Sequence, residues 1–367
     1  MRRGLGGRVR RLRAAAIPAA FVFLASCAKD APQDTFDVDG PIAQKIDHLQ
    51  VPVFLVAGAV FVLVQALLII TVVKHRHRPG RPDPIQVHGN TKLEFGWTVV
   101  PALLLVGVAF PTVFTIFDLS KEPTKNVLPV EVYGHLWWWE YIYPTQDGIS
   151  APVNTANELH IPVGRPVRLT LRTVEPGLPN NPEGELAQGV IHSFWVPKLA
   201  GKQDVVPGRD NKLTIEADEP GQKYLGQCAE YCNLSHANMR LAVVTHTEED
   251  FAAWVADQSR PAAQPSSGLA AQGFEVFTGA KGGCLACHSV NGIEGAVSRV
   301  GPNLTHLKSR DRFAGYIFDN TQDNLRRWVA DPPAMKPMRP DKGTGMPDQG
   351  LSDQEVEAVV AYLETLQ

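Results

Sequence analysis

The chain has 367 residues, of which 44% are hydrophobic and 20% charged, and its formal net charge is −3. That length allows two or three domains, and the acidic balance argues against nucleic acid as a partner. The charge averages unlike segments: residues 1–26 hold six Arg and no acid, so the remainder carries 29 bases against 38 acids, or −9. An exposed acidic unit suits a basic protein partner.

Residues 1–26 combine a basic start with a short apolar run, AAAIPAAFVFLAS, the pattern of a signal peptide rather than a membrane span. Residues 24–27 read LASC and resemble the lipobox of bacterial lipoproteins, which implies a lipidated Cys27 at the mature N-terminus. Ordinary cleavage near Ala25 would instead leave an unmodified thiol. Cys27 has no counterpart, because the other four cysteines fall into two pairs. After a periplasmic segment, 27–45, residues 46–74 form a first membrane helix. Its apolar stretch, 51–73, rises about 35 Å, enough to cross a bilayer. A second span covers 94–118, its prolines tolerable where neighbouring helices satisfy the freed backbone groups. Between the spans, residues 75–93 with Lys74 at their edge carry five Lys or Arg against one Asp. By the positive-inside rule this loop is cytoplasmic, and the chain beyond the second span is external.

From 125 to 250 the chain changes to short β-branched runs broken by Gly and Pro, among them VLPVEVYGHLWWWEYIYP and ELHIPVGRPVRLTLRTV, which read as strands of a sandwich or barrel. Late in this region stands CAEYCNLSHANM, Cys228 to Met239. A blue-copper site uses one Cys, two His and a weak axial Met. Two cysteines on one loop let both sulfurs bridge two copper ions, each of which then needs one imidazole and one weak ligand. His192 in GVIHSFWVPKL supplies the second imidazole. One copper would take His192 and Met239, the other His236 and the backbone carbonyl of Glu230. A Cys228–Cys232 disulfide or a four-coordinate zinc are the plainer readings, but zinc has no need of the Met and a disulfide none of His192.

Residues 251–267 combine a short helix, EEDFAAWVADQ, with a Pro, Ala, Ser and Gly-rich flexible linker. Residues 268–367 form a separate unit. CLACH, Cys284 to His288, is the attachment sequence of c-type haem: Cys284 and Cys287 form the thioethers and His288 the proximal ligand. A zinc half-site would need a second CxxC, which this region lacks. Three methionines lie downstream, and the Met346 segment, GTGMPDQGLS, resembles the Met-Pro segment before the C-terminal helix of class I cytochromes c. That resemblance implies Met346 as the sixth ligand ahead of Met335 and Met338, with His306 as an alternative. Ser352 and Glu355 form a capping box for a final helix whose Val356, Val359, Val360 and Leu363 share a face. Phe274 and Tyr362 would pack the first and last helices together.

The copper residues closely resemble the dinuclear copper (CuA) site of subunit II of the haem-copper cytochrome c oxidases, over roughly residues 45–250. The last hundred residues resemble class I cytochromes c, and the fusion resembles the caa-type oxidases. The resemblance implies two transmembrane helices, then an all-β cupredoxin-like sandwich, then an all-α class I cytochrome c domain. It implies a subunit that takes electrons through haem c and CuA and passes them to haem a in subunit I. There oxygen becomes water, coupled to proton translocation. It further implies subunit III as a neighbour, a cytochrome c or a quinol–cytochrome c reductase as donor, and membrane lipid around the spans. Trp137, in YGHLWWWEY, matches the exposed aromatic through which the family receives electrons, and three consecutive Trp cannot all face one core. Glu230's carboxylate matches a ligand to magnesium shared with subunit I, and Glu94 a residue at the mouth of a proton channel. A solvated acid at the membrane boundary explains Glu94 equally well. A CuA-bearing nitric oxide reductase subunit and a freestanding membrane electron carrier are the rival functions. A quinol oxidase subunit is disfavoured because that group lacks the copper ligands.

Overall fold

The computed structural model describes residues 31–77, 79–80, 85–86, 89–173 and 189–367; the signal segment and Cys27 lie outside them. Two long helices, α1 (Gly40–His75) and α2 (Thr91–Leu119), carry exposed apolar side chains along most of their length, with Leu55 and Leu105 both 70% exposed. An apolar surface of that extent belongs in lipid rather than water. Asn90 caps α2 by accepting from the amides of Lys92 and Leu93. Lys45 and Asp118 join the external ends of the two helices at 2.6 Å. Asp39, just before α1, receives the Tyr224 hydroxyl and caps the amide of Asp218, which seats the membrane helix under the β-domain.

The β-domain is two five-stranded sheets face to face. The first contains β1 (Leu128–His135), β2 (Trp138–Tyr143), β3 (Val153–Ala156), β5 (Val167–Thr173) and β8 (Asn211–Ile215) in the order β3-β2-β1-β5-β8. The second contains β4 (Glu158–Pro162), β6 (His192–Trp195), β7 (Gln203–Val205), β9 (Lys223–Cys228) and β10 (Arg240–His246), in the order β4-β10-β9-β6-β7. Alternation is clean in β5, where Val167, Leu169 and Leu171 turn inward and Arg168 and Arg172 outward. The run VLPVEVYGHLWWWEYIYP forms a hairpin: β1 and β2 pair antiparallel about Leu136 and Trp137.

Helix α3 (Glu248–Gln258), capped by Thr247, lays Phe251 and Trp254 onto the sandwich, with Trp254 stacked on His160. The stretch expected to be a flexible linker is instead tied down: the Ala262 amide donates to Asn291 O and the Gln264 side chain to Gly292 O. These two bonds join it to the last unit. There α4 (Gly268–Thr278), α5 (Gln322–Ala330) and α6 (Asp353–Leu363) enclose a second core. Ser352 and Glu355 complete the capping box, and Phe274 meets Tyr362 edge-on at 5.4 Å.

Candidate functional site

The copper-type ligands converge because β6 and β9 are neighbours. Phe194 pairs with Cys228 across them, and the Ala229 amide donates to Ser193 O, which brings His192 beside the loop after β9. Cys228 and Cys232 are free buried thiols with their sulfurs 3.8 Å apart, beyond a disulfide bond of about 2.05 Å. Cys228 Sγ lies 3.8 Å from His192 Nδ1 and 3.2 Å from Glu230 O; Cys232 Sγ lies 3.6 Å from His236 Nδ1 and 3.9 Å from Met239 Sδ. Each sulfur therefore has one imidazole and one weak donor at hand. A metal–sulfur bond is about 2.3 Å, so an ion can touch both sulfurs at this spacing. Six donors exceed the four that a structural zinc takes, and the soft, sulfur-rich set fits copper. The S–H of Cys232 directed at Cys228 holds the Cys228 thiol far below its usual range, against the opposing effect of burial and with help from His192. That favours the thiolate a metal needs.

Two residues that sequence reasoning missed shape this pocket. A β-carbon on Gly134 would meet the His192 ring, so only glycine fits there; a glycine inside a strand was the available signal. Ser235, next to His236, donates to Pro337 O at 2.5 Å, tying the copper loop to the last unit.

The second site is a cavity of about 270 Å³ between the last unit and the β-domain, whose lining includes Cys284, Cys287, His288 and Met346. Cys284 opens a 3-10 turn, and the His288 amide donates back to Cys284 O, which puts all three residues on one rim. His288 Nδ1 donates to Pro302 O at 2.8 Å, leaving Nε2 for a metal. Burial keeps this imidazole neutral. A β-carbon on Gly301 would strike the same ring at 2.5 Å. Arg310, 6% exposed, lines the cavity with its Nε unpaired among the described residues. A buried cation with a spare donor fits the carboxylates of a porphyrin. Met338 also lines the cavity, whereas Met335 does not. His306 is excluded as a ligand, because both ring nitrogens face carbonyls, Gln367 O at 2.7 Å and Arg260 O at 3.1 Å.

Trp137 departs from expectation. It is 2% exposed, and Trp138 and Trp139 are buried with it. The expectation that three Trp cannot share one core overlooked a second covering body. Trp139 faces the sandwich interior, while Trp137 and Trp138 line the same cavity as Cys284 and His288. Trp137 Nε1 donates to Cys232 O at 2.7 Å, so one indole touches both sites. Glu94 caps α2: its carboxylate accepts from the Asn90 amide at 3.2 Å. Glu230's carboxylate accepts from the Tyr231 amide while its carbonyl faces Cys228.

Residues 33–115 match the family described as cytochrome c oxidase subunit II, transmembrane domain. Residues 128–246 match cytochrome c oxidase subunit II, periplasmic domain, and 270–367 match cytochrome c. Cytochrome c oxidase subunit 2 of Alkalihalophilus pseudofirmus is 36% identical over 95% of this chain and 96% of its own length. That of Bacillus subtilis is 33% identical over 77% of each. The periplasmic domain of subunit II of cytochrome oxidase from Bradyrhizobium japonicum is 26% identical over 37% of this chain and 95% of that one, with a TM-score of 0.31. These relatives do not favour the nitric oxide reductase or freestanding-carrier readings. The copper-type cluster, the haem-type cavity and the two lipid-facing helices thus sit in matching order along one sequence, and the chain belongs to the cytochrome c oxidase subunit II family.

Proposed function

We propose that Cys228, Cys232, His192, His236, Met239 and the Glu230 carbonyl would hold a pair of copper ions. In the same reading Cys284 and Cys287 would attach haem c, and His288 and Met346 would hold its iron. The copper pair and the haem supply reversible one-electron chemistry. The observation that carries the reading is the 2.7 Å bond from Trp137 Nε1 to Cys232 O, because the same indole walls the haem-type cavity. A donor, cytochrome c or a quinol–cytochrome c reductase, delivers electrons to the cytochrome unit. Trp137 carries them to the copper loop, and subunit I receives them for reduction of oxygen to water with proton translocation. Here Trp137 hands over from within the chain, not from an exposed patch. Pro302 O orients His288, and Arg310, with its Nε unpaired among the described residues, would pair with a haem propionate.

The membrane is the bacterial plasma membrane, with both redox units on the periplasmic side. Subunit III is a further neighbour. The Glu230 carboxylate holds magnesium at the contact with subunit I, and Glu94 stands at the entrance of its proton channel. Cys27, outside the described residues, is the lipidation site.

Replacing Cys228 or Cys232 with Ser in the purified oxidase tests the assignment. Each change is expected to abolish the mixed-valence copper EPR signal and leave the haem c spectrum intact. Survival of that signal in both variants would defeat the bridging pair. Met346→Ala is expected to remove the sulfur–iron band and lower the haem potential; if Met338→Ala does this instead, the sixth ligand is Met338.

A further inference from the structure

Arg299 and Lys336 of the cytochrome unit reach into the copper unit, beside an ion pair from Asp311 to Lys223, and neither belongs to a ligand set. Arg299 grips Glu140 of β2 with both arms of its fork, Nε to Oε1 at 2.9 Å and Nη2 to Oε2 at 2.8 Å. Asn154 adds a bond to Oε1 at 2.7 Å and His135 one to Oε2 at 3.0 Å, so each carboxylate oxygen has two partners. Glu140 is 1% exposed. Burial would raise its pKa, but the bonds from His135 and Arg299 draw it down to about 2. Burial keeps His135 neutral, so Arg299 alone supplies the countercharge. The guanidinium also lies 4.7 Å from the centre of the Tyr133 ring. Among the described residues Arg299, from the cytochrome unit, is thus the cation bonded to this buried carboxylate of the copper unit.

Lys336 is the second contact. It is 3% exposed, and its Nζ donates to Trp137 O and to Ala314 O, each at 2.8 Å, one acceptor from each unit. An ammonium buried without a carboxylate costs stability. What it brings is geometry, since a single nitrogen ties the Trp137 backbone to the wall of the haem cavity. Backbone contacts run along the same seam: the Arg240 amide donates to Gly315 O at 2.9 Å, and the Asp311 amide to Glu158 Oε1 at 2.9 Å.

We propose that Arg299 and Lys336 are positioning residues that clasp the cytochrome unit onto the Trp137 face in one pose, so that transfer between the two redox units needs no search by a tethered domain. The proposal rests on the electron route given above and deepens it. A tether alone would leave the units to meet by diffusion; a clasp makes the productive arrangement the resting one.

The test uses the purified oxidase carrying Arg299→Gln, Lys336→Met, the double change, or Arg299→Lys. Amide hydrogen exchange at Arg240, 135–139 and 311–316 reads the pose without reference to turnover. It is expected to quicken about tenfold or more in the double variant, because a buried charge loses its partner. After flash reduction of haem c by a ruthenium complex, the haem-to-copper step is expected to slow about tenfold and to become dependent on solvent viscosity. The haem spectrum and copper EPR signal stay unchanged, and Arg299→Lys restores part of the rate. Unchanged exchange and unchanged transfer in the double variant would overturn the clasp. Absence of the copper signal from the wild-type oxidase would instead overturn the site assignment, and the exchange data would still decide the clasp.

Discussion

The imidazole of His192 is seated against the backbone of Gly134, so closely that a β-carbon there would come within 2.6 Å of Cδ2. Strand β1 thereby sets the position of a ligand carried by β6, in the opposite sheet. Gly134→Ala is expected to push the ring off the thiol pair and destabilise the domain by about 1–3 kcal/mol through overpacking. Copper content and the EPR line shape of the variant check this, with the haem c spectrum as internal control.

Arg310 places a buried positive charge at the haem-type cavity, and desolvation draws its pKa down to about 10. A cation favours the reduced haem, so Arg310→Met is expected to lower the haem c potential. At an effective dielectric near 20 the interaction is worth about 1–2 kcal/mol. Redox titration of the haem band measures the shift.

Lys336 predicts a pH dependence of the seam. Its ordinary pKa is 10.5, and burial lowers it to about 7 in the docked chain. Between those values the undocked state holds a proton that the docked state has lost. Docking therefore strengthens as pH rises from about 7 towards 10.5 and is flat below 7. Amide protection at Arg240, corrected for intrinsic exchange, is expected to rise across that window in wild type and to stay level in Lys336→Met.

The capping box at Ser352 closes the last helix, whose Val359, Val360 and Tyr362 build the second core. Ser352→Ala is expected to cost about 1 kcal/mol and to lower the melting temperature read at the haem c band, leaving the copper signal unaffected.

The local chemistry was legible. CLACH, the Cys228–Met239 loop and the Ser352–Glu355 box carry their meaning within a few residues, because ligand spacing and capping are short-range constraints. The pairing of His192 with that loop was legible only as arithmetic, one imidazole short; the β6–β9 register supplies the reason. What escaped the sequence is long-range. Glu140 and Arg299 stand 159 positions apart, and nothing near either names the other. Trp137 read as a surface aromatic through the resemblance of YGHLWWWEY to the family's electron-entry segment. In the fused chain it is 2% exposed, packed with the β-domain core and lining the haem-type cavity. The stretch 259–267 has the composition of a free tether, yet the Ala262 amide and the Gln264 side chain find carbonyls on the body it leads to.

Trp137 is 2% exposed in the fused chain, and Lys336 and Gly315 of the cytochrome unit lie against its backbone carbonyl. On the proposed route, the copper centre then sees a reductant whose effective concentration is set by the fold and not by the surrounding solution. Diluting the outside donor would slow only the filling of the haem, and the inward step would keep its own pace.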